Sequence, residues 1–218
     1  MTDKAHEEPR LLLVGTVHLD PLGHDRLLAW LGRAWPSSIS LEVSPYAVSL
    51  RESEGPRLLA RLDRFRTPGR DLPGRLEAIR AQLALPFEHT AARAYAAQAG
   101  IPLHLLGDSE RSRELLGLLL AEGMTDDNLA ALAAQQGMGS LGAQVEAEWR
   151  SARRYFAEGR PMGTAEAGRL DTEDAAMAAR IRALGPPAAH VHVCGWEHLK
   201  GLVAHPENLS PEIQLLRG

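Results

Sequence analysis

Two histidines stand in the same four-residue frame, far apart along the chain. Gly15-Thr16-Val17-His18 closes the apolar run from Arg10 to Val17, and Gly195-Trp196-Glu197-His198 follows the apolar run from Ala189 to Cys194. A neutral imidazole is a ligand for a transition metal and a general base near neutral pH. The glycine of each frame lets the backbone turn sharply and approach a bound group closely. One Gly-x-x-His is common by chance. Two of them, each directly behind a run of strand length, form a pattern. Each histidine also has a plainer role open to it, His18 as a strand-end ring bonded to a carbonyl and His198 as a surface residue of a short helix.

Three carboxylates could join them. Glu42 lies in the apolar run SISLEV, and a carboxylate there is costly to bury unless it is paired or metal-bound. Alternation lets it point either to solvent or to a site, and its place at the strand tip favours the site. Asp108 follows the run IPLHLL in the same way, where it is equally well explained as a turn residue. Glu88 opens the stretch EHTAARAYAAQA, a position that favours negative charge on helix-dipole grounds alone, with His89 beside it as a solvated neighbour. Cys194 reads as a small core residue rather than a nucleophile. His190 and His192 alternate with Val191 and Val193 and so share a face, to which His104 could add a third ring. Asp171, Glu173 and Asp174 read as a solvated helix face, and Glu110-Arg111-Ser112-Arg113 as surface. The chain has no Walker loop, His-Glu-x-x-His, Cys-x-x-Cys or Gly-x-Ser-x-Gly.

The elements that must position these groups follow from periodicity and breakers. Strands are expected over 10–17, 38–43, 101–106 and 189–194, with a further strand at 212–216. A helix over 24–35 between the first two strands makes the unit that builds a parallel sheet. Pro56, Pro68 and Pro73 divide 46–85 into helical pieces near 56–66 and 74–84. Gly100 stops the helix that begins at Glu88. Residues 110–184 read as helical, with Thr125 capping 126–136, a loop at 137–142 and helices at about 143–158 and 165–184. A short helix is expected at 197–203. The fold class is therefore α/β: one domain over 1–218, with a small mixed or mostly parallel sheet flanked by helices and a long helical excursion at 110–184 before the last core strand.

Composition narrows the function. The chain has 218 residues, 44% of them hydrophobic, enough for one sizeable core but cramped for two domains. A net charge of −4 argues against nucleic acid as the main partner. The 5% aromatic content gives little support to base-stacking or carbohydrate-binding clefts. A single cysteine excludes an internal disulfide. No run is long and apolar enough for a membrane span, and the polar first nine residues lack the pattern of a signal peptide. A cytoplasmic protein is expected, and a homo-oligomer is compatible with the sequence.

The order strand–GTVH, strand–LEV, helix from Glu88, strand–GD and strand–GWEHLKGL resembles the TraB/PrgY family and its Tiki-like protease relatives, grouped with the erythromycin-esterase and ChaN-like proteins. The hallmark Gly-x-x-His pair falls on Gly15 to His18 and Gly195 to His198, the strand glutamate on Glu42, and the closing glycine on Gly201. The Glu-led helix places Glu88 near the site, and the strand ending in Asp-Arg falls on Asp108. Ser109 stands where the family has that arginine, and Glu173, before Asp174, where a late helix carries another. The resemblance implies metal-dependent hydrolysis of a small peptide or an ester, with His18, Glu42 and His198 as metal ligands or acid–base groups. Glu88 and Asp108 would then be further catalytic carboxylates. Such a mixed N/O set suits Mn, Co, Zn or Fe. Within the same group, water activated by His and Glu without metal gives an esterase. A non-catalytic protein that binds a peptide or haem is the other reading.

Overall fold

The computed structural model describes residues 10–66, 72–135, 140–158, 164–185, 189–205 and 211–217. Five strands form one sheet: β1 (Arg10–Thr16), β2 (Ser38–Leu41), β3 (Leu103–Leu105), β4 (Ala189–Gly195) and β5 (Glu212–Leu215). Their order is β3-β2-β4-β1-β5, and every pairing is parallel. The all-parallel sheet sharpens the expectation of a mixed or mostly parallel one. It also explains why β1 and β4 read as near-continuous apolar runs, since both faces of a parallel sheet are covered by helices.

One face is covered by α1 (Gly23–Ala34) and α4 (Phe87–Ala99), and the other by α8 (Thr164–Ala183) and α9 (Leu199–Ala204). α1 presents Leu27, Trp30 and Leu31 to the core. It ends at Trp35, the one described non-glycine residue with a left-handed backbone (φ 48°), just before Pro36. Trp149, on α7 (Leu141–Glu158), is fully buried in the same core. Its indole N–H donates to Asp20 at 3.0 Å, which also receives the Arg26 guanidinium and so fixes the turn after β1.

A second apolar cluster of Leu58, Leu62, Leu76, Leu83, Met124 and Leu129 knits α2 (Pro45–Asp63), α3 (Gly74–Leu83) and α6 (Asp126–Ala134) together. α5 (Ser109–Leu118), which runs on into a π-helical turn at Leu119–Gly123, packs on α2. Here the sequence misleads at Pro56. α2 runs straight through it as one helix, giving up only the bond that residue 56 would have donated to the Glu52 carbonyl. Ser44 supplies the start, accepting from the Ala47 N–H at 3.0 Å. The helical excursion between β3 and β4 is present as α5 to α8, with Thr125 capping α6 as expected. Pro68, Pro186, Pro187 and half of the expected loop at 137–142 lie outside the described residues, and Leu141 and Gly142 already belong to α7.

Candidate active site

Because all five strands are parallel, every β-to-α turn lies at one end of the sheet, where open α/β folds bind ligands. Register brings the two histidine frames side by side. Gly15 pairs with Cys194 and Thr16 with Gly195, while β2 flanks β4 on its other side and ends next to Glu42. A Cβ on Gly195 would lie 2.9 Å from His18 Nε2 and 3.5 Å from His198 Cδ2, so both rings crowd against this one glycine. His198 Nε2 is 3.0 Å from Glu42 Oε1. The other carboxylate oxygen of Glu42 accepts the Gly195 N–H at 2.8 Å. Glu42 therefore turns to the site and not to solvent.

Each ring is held from behind by a carboxylate, one from either helical layer. His18 Nδ1 lies 2.9 Å from Glu88 Oε1, and His198 Nδ1 lies 2.6 Å from Asp174 Oδ1. Both carboxylates are 2% exposed. Glu88 enters from the first turn of α4 and also accepts the Thr16 hydroxyl at 2.8 Å. Its second oxygen, Oε2, is buried with no hydrogen-bond partner among the described residues. Asp174 comes from α8. A methyl on Gly201 would overlap Asp174 Oδ2 at 1.7 Å, so this glycine lets α9 pass close enough for Asp174 to reach His198.

The electrostatics follow from these contacts. Burial pulls the His18 pKa down, but the Glu88 hydrogen bond and the charges of Glu88, Glu42 and Glu148 raise it to about 9. For His198 burial is again outweighed, here by Asp174 and Glu42, and its pKa rises to about 10. Glu42 is held down at about 2, burial being outweighed by His198, His18 and the Gly195 N–H. Burial pushes the Asp174 carboxyl up despite His198. Three carboxylates thus surround two imidazoles, a field that favours positive charge.

Two lobes of a cleft meet at Glu42 and Cys194 beneath Ser112 and Leu115 of α5. The lobe on the His198 side, about 450 Å³, is lined by Asp108, Arg111, Glu173 and Arg180 among others. The lobe on the His18 side, about 550 Å³, is lined by Arg51, Pro86, Glu88 and Glu148 among others. Leu115 is 55% exposed, an apolar side chain over the junction of the lobes.

Of the five sequence candidates, the structure brings His18, Glu42, Glu88 and His198 together. Asp108 lies on the same rim but is occupied otherwise. It caps α5 through the Glu110 and Arg111 N–H groups at 2.9 and 3.0 Å and pairs with Arg180 at 3.1 Å. Glu88 and His89 are both buried, against the expectation of a solvated pair. The surface reading of residues 110–113 holds at Glu110, Arg111 and Arg113, which are exposed, while Ser112 is half-buried; Glu110, Arg111 and Ser112 also line the cleft. Asp174 was hidden in an acidic run whose other members, Asp171 and Glu173, make different contacts. The signal that could have found it is its spacing, since Ala178 and Ile181 mark the same helix face as core.

His190 and His192 are not half-buried strand residues. They form a closed row inside the sheet's helical cover with Ser38 and Ser40. The Ser38 hydroxyl is 2.5 Å from His190 Nδ1, and the Ser40 hydroxyl is 2.7 Å from His190 Nε2 and 2.8 Å from His192 Nδ1. Both rings are fully buried, which lowers their pKa values to about 4 and about 3. The unfolded chain holds these protons at the ordinary 6.5, so stability is complete above that pH and falls as pH drops toward the folded values. His18 and His198, whose pKa values are raised, are charged in both states only once the pH is about a unit below 6.5. Burial lowers the His89 pKa in the same direction as those of His190 and His192. Metal-free protein should therefore lose stability between about pH 5.5 and 4.5 with a slope of at least about two protons, about 2.7 kcal/mol per pH unit. Urea unfolding across that range measures it, and His192→Asn should lower the slope by about one proton.

Does this donor set fit a transition metal? Ligating histidines usually have their second nitrogen fixed by a carboxylate, and both rings here do. The 3.0 Å separation of His198 Nε2 and Glu42 Oε1 is that of two adjacent ligands on one ion, given bonds of about 2.1 Å. No group of three or more His, Cys, Asp or Glu among the described residues is already gathered around one metal-sized point. A shared ion therefore needs His18 to rotate inward, and its half-exposed ring has room to do so. In class, this is a parallel α/β protein with a His/Glu/His rim at its strand tips. No family model, curated protein or solved structure matches the chain.

Proposed function

We propose that the protein is a metal-dependent hydrolase of peptide or ester bonds, a TraB/Tiki-like enzyme acting in the cytoplasm. The observation that carries the reading is that both imidazoles are braced through Nδ1 by buried carboxylates from opposite helical layers and lean on Gly195, where Glu42 meets His198. His18, Glu42 and His198 would hold a Mn, Co, Zn or Fe ion, which supplies Lewis acidity to a carbonyl and acidity to water. Glu88 and Asp174 orient the rings. The Gly195 N–H fixes one oxygen of Glu42 and leaves Oε1, beside His198 Nε2, to ligate the ion. Leu115 and Val43 give the cleft an apolar surface above the reacting bond. No helix among the described residues is long and apolar enough to cross a membrane, which agrees with a diffusible substrate.

A second reading rests on the fact that both nitrogens of His198 are engaged. In it the Asp174–His198–Glu42 line activates water with no ion, as in an esterase. Calorimetric titration of metal-free protein with Mn²⁺ and Co²⁺ separates the two. One ion per chain, lost in His18→Ala, together with hydrolysis of simple peptides or esters only by the loaded protein, is the expected result. Ester hydrolysis by protein that takes up no ion would replace it with the second reading.

A further inference from the structure

The cleft contains three arginines, and they are not equivalent. Arg111 pairs with Glu173 at 2.9 Å and Arg180 with Asp108 at 3.1 Å, so both are neutralised in the lobe on the His198 side. Arg51 is the one Lys or Arg among the described residues lining the lobe on the His18 side, and it makes no ion pair with any described residue. Two backbone carbonyls hold it instead. Nε donates to Gln82 at 2.9 Å and Nη1 to Ala47 at 3.1 Å. The carboxylate whose charge acts on it is Glu88, with which it forms no ion pair. Glu88 Oε1 is already taken by His18 and Thr16. Glu148, also in this lobe, accepts the Trp196 indole N–H at 3.3 Å. The Nη2 group is thus left with hydrogens to donate on the wall of a cavity whose far end is the catalytic junction.

A guanidinium fixed on carbonyls and paired with no described carboxylate retains its full charge for a ligand. We propose that Arg51 is the anchor for a carboxylate of the substrate, so that this enzyme prefers a peptide or ester bearing a free carboxylate near the bond it cleaves. The inference rests on the hydrolase reading and adds the substrate class. A monoanion is the match because one uncommitted cation shares its lobe with Glu88 and Glu148, which would repel a doubly charged phosphate more strongly. Ala47, Ala81 and Pro86 leave a small apolar wall beside Arg51, suited to a short aliphatic residue.

The test compares N-acetyl-L-alanine with N-acetyl-L-alanine amide binding to metal-free protein, followed by calorimetry or by chemical-shift titration. Both compounds carry an amide bond of the class proposed for cleavage, so binding is read on the metal-free protein, and the pair differs only at the terminal carboxylate or carboxamide. The acid should bind roughly tenfold more tightly than the amide, the scale of one charge-assisted pair. Arg51→Met should remove that preference, and Arg51→Lys should keep part of it. Equal binding of acid and amide by the wild-type protein overturns the proposal without recourse to any variant, and so does a preference that survives in Arg51→Met. The same samples titrated with Mn²⁺ keep the two readings apart. An acid preference in protein that binds no metal supports the anchor and defeats the metal centre, whereas metal uptake with no acid preference does the reverse.

Discussion

Gly107→Ala should destabilise the protein by ~3 kcal/mol or more and should disable the site along with the fold. Gly107 turns the chain from β3 into α5, and its Cα lies directly on the end of β2. A methyl there would sit 1.9 Å from the Glu42 carbonyl oxygen, 2.5 Å from Ser44 N and 2.7 Å from Val43 C. All three atoms are backbone, so no rotamer change relieves the overlap. The strand tip itself must move, and it carries Glu42 and the Ser44 cap of α2 with it. Urea unfolding should show the midpoint shift, and metal affinity should fall in parallel. A stability within ~1 kcal/mol of wild type would mean that the β3–α5 turn sits farther from Glu42 than described here.

His198→Ala should have the largest effect on function. It removes the ring between Asp174 and Glu42, so the expected loss of Mn²⁺ or Co²⁺ affinity exceeds the roughly hundredfold seen when only a supporting hydrogen bond is lost. It also leaves Asp174, 2% exposed, without its partner, a change that costs about 3 kcal/mol in buried pairs unless the carboxyl takes up a proton. That escape predicts a signature. The stability deficit of His198→Ala should shrink as pH falls and Asp174 protonates. Asp174→Asn should lower metal affinity by about ten- to a hundredfold while leaving the ring in place. Isothermal titration on the two variants ranks them, and an Asp174→Asn protein weaker than His198→Ala would reverse the roles assigned here.

Much of this was legible in the residues. The five strands announce themselves as short apolar runs closed by glycine, serine or proline, and the two Gly-x-x-His frames mark the tips of two of them. Parallel pairing follows from helices lying between strands. Strand order does not follow, and it is the adjacency of β1 and β4 that makes the histidines neighbours. Glu42 could be placed at a strand tip but not aimed, because side-chain alternation was satisfied by either direction. Asp174 was obscured by its surroundings in the chain, and Glu88 was a site candidate only through the family resemblance. A first-turn glutamate and an acidic helical run both have ordinary surface explanations, and only the closeness of α4 and α8 to the sheet buries them. The serine and histidine row was equally invisible, since it depends on Ser38 and Ser40 facing His190 and His192 across the β2–β4 register. Pro56 shows the opposite failure, a strong local breaker overridden where α2 gains more from burying Leu58 and Leu62 than it loses in one hydrogen bond.

The most direct test of the metal centre is a crystal soaked in Mn²⁺ and measured for anomalous scattering. The account predicts one strong peak at bonding distance from His18 Nε2, His198 Nε2 and the Glu42 carboxylate, with Glu88 and Asp174 still on the far sides of the rings. A map with no peak at the strand tips, or with manganese bound only elsewhere on the molecule, would contradict it.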